Sequence, residues 1–567
     1  MENTGTTGLE SSIAVEVVRN GLSAIADEMA VTHVRAAYSS VVRDMLDFST
    51  AVCDGQGRVL AQGLSLALQL GAIPRFMSHL VGKVAQPAPG DVYLLNHPWE
   101  GGVHLPDFFF AKPIFLDDDR PAAYTVIVSH MVDVGGRNPG GVSVAASSLW
   151  DEGLVIPLVP LVRAGVPDSA LLDLLAANSR DPVKVLGDIR AVLAGLETGS
   201  RQFLELADRT GRHELLRHME TLLDHTERAT RAAIARLPDG SAVAVDYLDD
   251  DGMQGPPVRF VCRVTKAADS FHFDYTGTAD QVATGINTTI ADVMSAVTFA
   301  ARAALSEDLA VNDGFCRCLE ITAPEGSVIN ARYPAAVGAR AASIYRMTDV
   351  ALAALAELVP DRIPAHDGGP AVMYFSGPVG DRSWIFLDYI SAGWGATKGG
   401  DGVPGVSHPI CNAANVPIEV VEQEHPIRIV RYGLTADTAG VGRQVGGPAV
   451  VRQYEVLADD TTLNFRLERR THPPRGGSGG GDGEPSKCLV RRGRGPWQEV
   501  ASKGTVTLAA GDGVRVQLAS GGGFGPSTSR SALAVDSDVA NGIYSRDTAT
   551  ALFASPREEA RAGADAR

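Results

Sequence analysis

Between Gly90 and Gly136 the apolar residues come in strand-length runs (DVYLL, DFFFAKPIF, AAYTVIVSH), each closed by a glycine- or proline-marked turn. The longest apolar runs of the chain, Ala122–Ser129 and Leu154–Val162, are no longer than strands. A membrane span would need ~18 consecutive apolar residues, so no membrane segment is expected. Helical periodicity takes over elsewhere. Over residues 11–37, Val18, Leu22, Ile25 and Met29 form the stripe of an amphipathic helix, with Ser11 or Ser12 available as N-cap. From Pro182 to Leu237 the helical pattern returns, and Gly199 and Gly211 are its expected breaks.

Strands and helices in separate blocks predict an α+β fold. A chain of 567 residues has room for several domains. We read residues 1–240 as an N-terminal region with long helices and most of the unusual polar residues. Residues 241–370 read as a central α+β region, 371–553 as a glycine-rich β region, and 554–567 as a solvated tail. The net charge of -17 opposes nucleic-acid binding, which needs a basic face. The polar, acidic N-terminus lacks a basic n-region and an apolar h-region, so no secretory signal is expected. Six scattered cysteines do not make a disulfide framework; reduced thiols in a cytoplasmic protein are the expectation. His213, His218 and His225 fall in a charged helical stretch and are expected to face solvent.

The segment Asn96-His97-Pro98-Trp99-Glu100-Gly101-Gly102-Val103-His104-Leu105-Pro106-Asp107 holds the most chemistry. His104 and Asp107 stand three apart, with Pro106 fixing the backbone between them. One strand later, His130 and Asp133 repeat the spacing ahead of Gly135-Gly136. If the strands are neighbours the two pairs converge, and imidazole with carboxylate suits Zn, Mn or Fe(II) rather than Ca or Mg. The competing account makes these residues caps and hydrogen-bonded surface groups. Asp47 has an apolar setting and Arg43 nearby, so it reads from the residues alone as an ion-pair partner. The glycine clusters lack G-x-x-x-x-G-K-[ST] and Rossmann spacing; turns between strands are their simplest account.

Together these motifs resemble the B-type chain of the hydantoinase/oxoprolinase family. Its relatives include caprolactamase and subunits of acetone and acetophenone carboxylases. The resemblance runs from about Ala14 to Phe553. It is carried by Leu46-Asp47-Phe48-Ser49, the N-H-P-W-E-G-G-V-H-L-P-D segment, H-M-V-D-V-G-G, Glu152-Gly153, Asn312-Asp313-Gly314 and Gly521-Gly-Gly-Phe-Gly525. It implies metal ligands at Asp47, His104 and His130, with Asp107 added in carboxylase-like members, and Asp133 as a supporting group or base. It also implies one divalent transition metal (Zn, Mn or Fe) and a hetero-oligomer with an A-type subunit. That partner would bind ATP with Mg and phosphorylate the carbonyl of a cyclic amide, which this chain would then hydrolyse. Two histidines common in the family are Ser65 and Gln69 here.

Two other roles fit the same resemblance. One is a subunit of an ATP-dependent carboxylase acting on a ketone. The other is a non-catalytic scaffold for the ATPase partner.

Overall fold

The sheet that carries the His-x-x-Asp segments has seven strands: β1 (Phe48–Asp54), β2 (Val59–Gln62), β3 (Val92–Leu95), β4 (Asp107–Ile114), β5 (Ala123–His130), β6 (Val159–Arg163) and β7 (Val166–Pro167). Their spatial order is β2-β1-β5-β4-β3-β6-β7, with every neighbouring pair antiparallel. The structure is a computed structural model describing residues 4–63, 66–305, 308–380 and 382–553. The tail and Ser65 lie outside those residues.

Side chains alternate across a strand, and both faces of the interior strand β5 are covered. Val126 and Val128 join Ala51, Phe109 and Ala111 in a core shared with Phe76 and Leu80. On the other face Thr125 donates to Leu196 O, and Ser129 meets His33 Nε2 at 3.1 Å. Two-sided burial is why this strand reads as a nearly continuous apolar run. Its turn chemistry is equally local. In the β1–β2 hairpin Asp54 Oδ1 accepts from the backbone of Gln56 and Arg58, and Gly57 takes the left-handed conformation.

The covering helices follow the sequence pattern, with three changes. Helix α1 spans Thr4–Ala36 and buries Val18, Leu22, Ile25 and Met29, each such side chain contributing roughly 1.5–3 kcal/mol. It starts upstream of Ser11 and Ser12, so neither serine is its cap. Among the short helices that follow are α2 (Ala67–Leu70) and α3 (Ile73–Lys83), the latter supplying Phe76 and Leu80 to the core. Helix α4 (Pro182–Thr210) runs through Gly199 and stops at Gly211, whose φ is 88°. Gly199 is a packing glycine rather than a break: a Cβ there would lie 2.4 Å from Met29 Sδ. Helix α5 (Arg212–Ala235) exposes His213 and His225 but buries His218, contrary to expectation, because His218 falls on the same face as Leu215 and Leu222. Helices α6 (Ile290–Leu305) and α7 (Ala341–Leu358) come next in the chain.

The chain forms two compact units, one of residues 1–243, 261–351 and 410–414, the other of 244–260, 352–409 and 415–567. Residues 241–370 are thus divided between them. The first unit holds the seven-stranded sheet. The second contains a four-stranded sheet (Ala371–Val379, Arg382–Ile390, Thr461–Arg466, Lys503–Leu508) and a five-stranded one (Ile427–Leu434, Val450–Val456, Lys487–Arg491, Trp497–Glu499, Gly513–Gln517). Its glycine-rich segments pack backbone on backbone; a Cβ on Gly446 would sit 1.9 Å from Gly521 O. Helix and sheet together make an α+β protein.

Candidate metal centre

Strand order brings three distant residues together. Asp107 and His130 are directly paired in the register of β4 and β5. Phe48 pairs with Ser129 in β1 and β5, and His130 N donates to Asp47 O one step further. Asp47, His130 and Asp107 therefore sit side by side at one end of three adjacent strands. Alternation puts them on the face that carries Ala51, Val128 and Phe109. His104 arrives from the preceding loop, anchored by Asp107 N donating to His104 O.

The side chains converge accordingly. His130 Nδ1 lies 2.9 Å from Asp107 Oδ1 and 3.7 Å from Asp47 Oδ2. His104 Nε2 lies 3.2 Å from Asp107 Oδ2. His104, Asp107 and His130 can each offer a ligand atom, all within 4.8 Å of one another. All three are buried, while the Asp47 side chain keeps 19% of its surface exposed.

Several neighbours complete the site. Gln69, from α2, donates through Nε2 to Asp47 Oδ1 at 3.0 Å and accepts from Ser49 at 2.8 Å. The Arg340 guanidinium donates to Asp107 Oδ2 at 2.7 Å and to Asp292 Oδ1 at 2.6 Å. Gly338 O lies 3.0 Å from His104 Nδ1, and Glu152 Oε1 accepts from Gly338 N at 2.6 Å. Arg340, Asp292 and Gly338 carried no sequence signal. They lie more than 150 residues beyond the His-x-x-Asp segments and reach the site only through tertiary packing. Gln69 and Glu152 stood inside recognisable motifs, without a spacing that indicated their partners.

Asp133 has a different setting. Its Oδ1 accepts from Gly140 N and from Arg180 Nη1, and its Oδ2 accepts from Arg180 N. Gly136, in the loop so held, packs against the backbone of Glu152, where a Cβ would come within 2.5 Å. Paired glycines here serve close packing of the chain on itself. Asp47 faces His130, while Arg43 pairs with Asp44 at 2.8 Å.

Electrostatics separate the members of the cluster. Burial raises the Asp47 carboxyl to about 6, with His130 opposing the shift. Burial also opposes charge on Asp107, yet His104, His130 and Arg340 outweigh it and hold the carboxyl well below the usual range. Burial lowers His104 to about 4, so its imidazole is neutral at pH 7. His130 is raised: burial works against the cation, and Asp47 and Asp107 prevail.

A neutral His104 has one N–H for two acceptors, Gly338 O and Asp107 Oδ2. One ring nitrogen must then present its lone pair to an oxygen about hydrogen-bond distance away. A cation held by His104 and Asp107 would relieve that conflict. His104, His130 and Asp107 offer two imidazoles and a carboxylate within reach of one ion, with the Asp47 carboxylate beside them, and this donor chemistry fits a divalent transition metal.

Comparison with known proteins identifies the relatives of this chain. The hydantoinase B/oxoprolinase family model matches residues 11–527. A protein of Methanocaldococcus jannaschii is 32% identical over 518 residues, covering 90% of each chain. The crystal structure of ATP-dependent caprolactamase from Pseudomonas jessenii is 28% identical, covers 95% of both chains and superimposes with a TM-score of 0.89. A nucleotide-free acetone carboxylase structure, 16% identical over 96% of this chain and 79% of that one, shares the fold with a TM-score of 0.88. Among the described residues no helix is long and apolar enough to cross a membrane, and all six cysteines are free thiols. The chain belongs to the hydantoinase B/oxoprolinase family.

Proposed function

We propose that this chain is the metal-bearing B-type subunit of an ATP-dependent cyclic amidohydrolase, opening a hydantoin, oxoproline or lactam ring. An A-type partner in the same hetero-oligomer would bind ATP with Mg and phosphorylate the carbonyl oxygen. The observation that carries the proposal is the convergence of His104, Asp107 and His130, whose ligand atoms lie within 4.8 Å of one another, with the Asp47 carboxylate beside them. The name of the similar caprolactamase, a beta subunit in Pseudomonas jessenii, supports both the lactam substrate class and the divided enzyme. Free thiols suit a cytoplasmic setting.

Asp47, His104, Asp107 and His130 would hold the ion. A divalent transition metal there supplies Lewis-acid chemistry and a water-derived nucleophile at neutral pH. The protein contributes the rest. Arg340 keeps Asp107 ionised, Gln69 fixes the Asp47 carboxylate, and Asp47 stands on the accessible side, where substrate would approach. We assign Asp133 a positioning role, since Gly140 and Arg180 engage both its oxygens.

Elemental analysis of the purified chain beside the His104→Ala/His130→Ala variant tests the centre. About one equivalent of Zn, Mn or Fe in the wild type, lost in the variant, is the expected result. A wild type that stays metal-free after supplementation overturns it in favour of the scaffold. With the partner subunit present, lactam-dependent ATP turnover is expected. Turnover that requires bicarbonate and a ketone would instead make the complex a carboxylase.

A further inference from the structure

The first compact unit encloses a cavity of about 210 Å³ that the proposed chemistry does not use. Helices α2 and α6 form two of its walls, and the short helix Asp313–Cys316 contributes to a third. Leu70, Met294, Phe299, Val311 and Cys316 give it an almost wholly apolar lining. All five stay half-buried, so apolar surface is left uncovered at a concave place. Met294, Thr298 and Arg302 follow one another at i, i+4 and i+8, and so share the face of α6 that lines the cavity.

The walls are held in place by backbone contact. Gly71 N, at the end of α2, donates to Ser295 Oγ of α6 at 3.0 Å. A Cβ on Gly71 would lie 2.2 Å from Ser295 N, so no side chain fits between the two helices there. The cavity is also separate from the metal centre. Ala67 and Leu70 line it, whereas Gln69 turns from another face of α2 to Asp47.

Charge narrows what the cavity can take. Among the described residues of its wall, Arg302 and Asp313 are the charged ones. Asp313 is committed to the fold, since its Oδ2 accepts from Val59 N. Burial pushes the Cys316 thiol up to about 12, so it stays uncharged. Arg302 is half-buried in the last turn of α6 and has no hydrogen-bond or ion-pair partner among the described residues. One cation free to pair, beside an apolar cavity, matches a monoanion with an apolar tail; a dianion would keep a charge uncompensated. A dry cavity of about 150 Å³ takes benzene, so 210 Å³ admits a tail of about six carbons.

We propose that this cavity binds a carboxylic acid of about six carbons, its tail among Leu70, Met294 and Phe299 and its carboxylate on Arg302.

The experiment is calorimetric titration of the metal-free full chain with hexanoate, beside hexanamide, which keeps the tail and lacks the charge. Saturable binding of hexanoate with a Kd at or below about 1 mM is expected. Arg302→Met is expected to weaken hexanoate about 10–100-fold and to leave the weaker hexanamide binding within about threefold. In methyl-labelled protein the Met294 signal, assigned by its loss in Met294→Leu, is expected to shift on saturation with hexanoate.

No saturable uptake below about 10 mM would overturn the proposal. So would equal hexanoate affinity in wild type and Arg302→Met, which would make the occupant a neutral molecule. Binding that leaves the Met294 signal in place would put the acid elsewhere, and binding that requires added zinc would put it on the metal centre; either result overturns the site. Circular dichroism establishes that each variant is folded, and Arg302→Gln replaces Arg302→Met, with the same readout, if the latter is not.

Discussion

The Arg340 guanidinium donates to Asp107 Oδ2 at 2.7 Å, with both side chains almost wholly removed from solvent. Its other terminal nitrogen reaches Asp292, whose carboxyl burial raises to about 6. One cation therefore compensates two buried carboxylates. Replacing Arg340 by Met leaves Asp292 without its counter-charge and Asp107 with only its histidine neighbours, and is expected to cost about 3–5 kcal/mol of stability at pH 7. Urea unfolding measures this. A variant as stable as wild type would show that the pair contributes nothing to the fold.

Gln69 supplies hydrogen bonds that no apolar residue can replace. Gln69→Leu removes a donor from Asp47 and an acceptor from Ser49. The expected loss is about 1–3 kcal/mol, because the groups left behind stay desolvated. Losing that donor also frees the Asp47 carboxylate to rotate, so metal affinity should drop about 10-fold. Equal metal binding by the two proteins in a chelator competition would place Asp47 outside the ligand set.

For Asp133 the two roles separate cleanly. An anchoring carboxylate predicts that Asp133→Asn is destabilised by about 1–3 kcal/mol, since the charged hydrogen bonds to Arg180 are weakened. Its turnover at temperatures where it stays folded should match wild type. A general base would instead lose 10²–10⁴-fold in kcat with little change in melting. Steady-state kinetics of the complex, read beside the melting curve, decides.

Glu152 should also leave a signature in stability against pH. Its carboxyl is raised from 4.5 to about 8 in the folded chain. Between those values the folded state holds a proton that the unfolded state releases, so stability falls as pH rises through the window. The slope from this group approaches about 1.4 kcal/mol per pH unit. Chemical unfolding of wild type and Glu152→Gln at pH 5, 6, 7 and 8 should show the wild type losing ground steadily. Parallel curves would mean that Glu152 ionises normally in the fold.

Local order was legible without coordinates. The stripe of Val18, Leu22, Ile25 and Met29 indicates a helix because a 3.6-residue period puts all four on one face. The runs around Phe109 and Val126 indicate strands because alternate side chains meet different layers. His104, Asp107 and His130 stood out through their spacing and their proline and glycine neighbours, and Asp47 through family resemblance. Glycine was harder to read. Gly199 looked like a helix break but fills a crossing where Met29 leaves no room for a Cβ, a constraint visible only once the two helices touch.

What the sequence determined by itself is the type of its principal elements, the buried stripe of its first helix, and the two His-x-x-Asp pairs as candidate chemistry, with Asp47 added by family resemblance. Only the tertiary structure decided that β1, β5 and β4 are neighbours, which aligns Asp47, His130 and Asp107 across their ends. It also brought Arg340, Gln69 and the Glu152–Gly338 clamp around them, and held Asp133 away on Arg180. The physical reason is range. Periodicity and turn chemistry act over a few residues, whereas strand order and the pairing of buried charges are settled by packing between segments hundreds of residues apart.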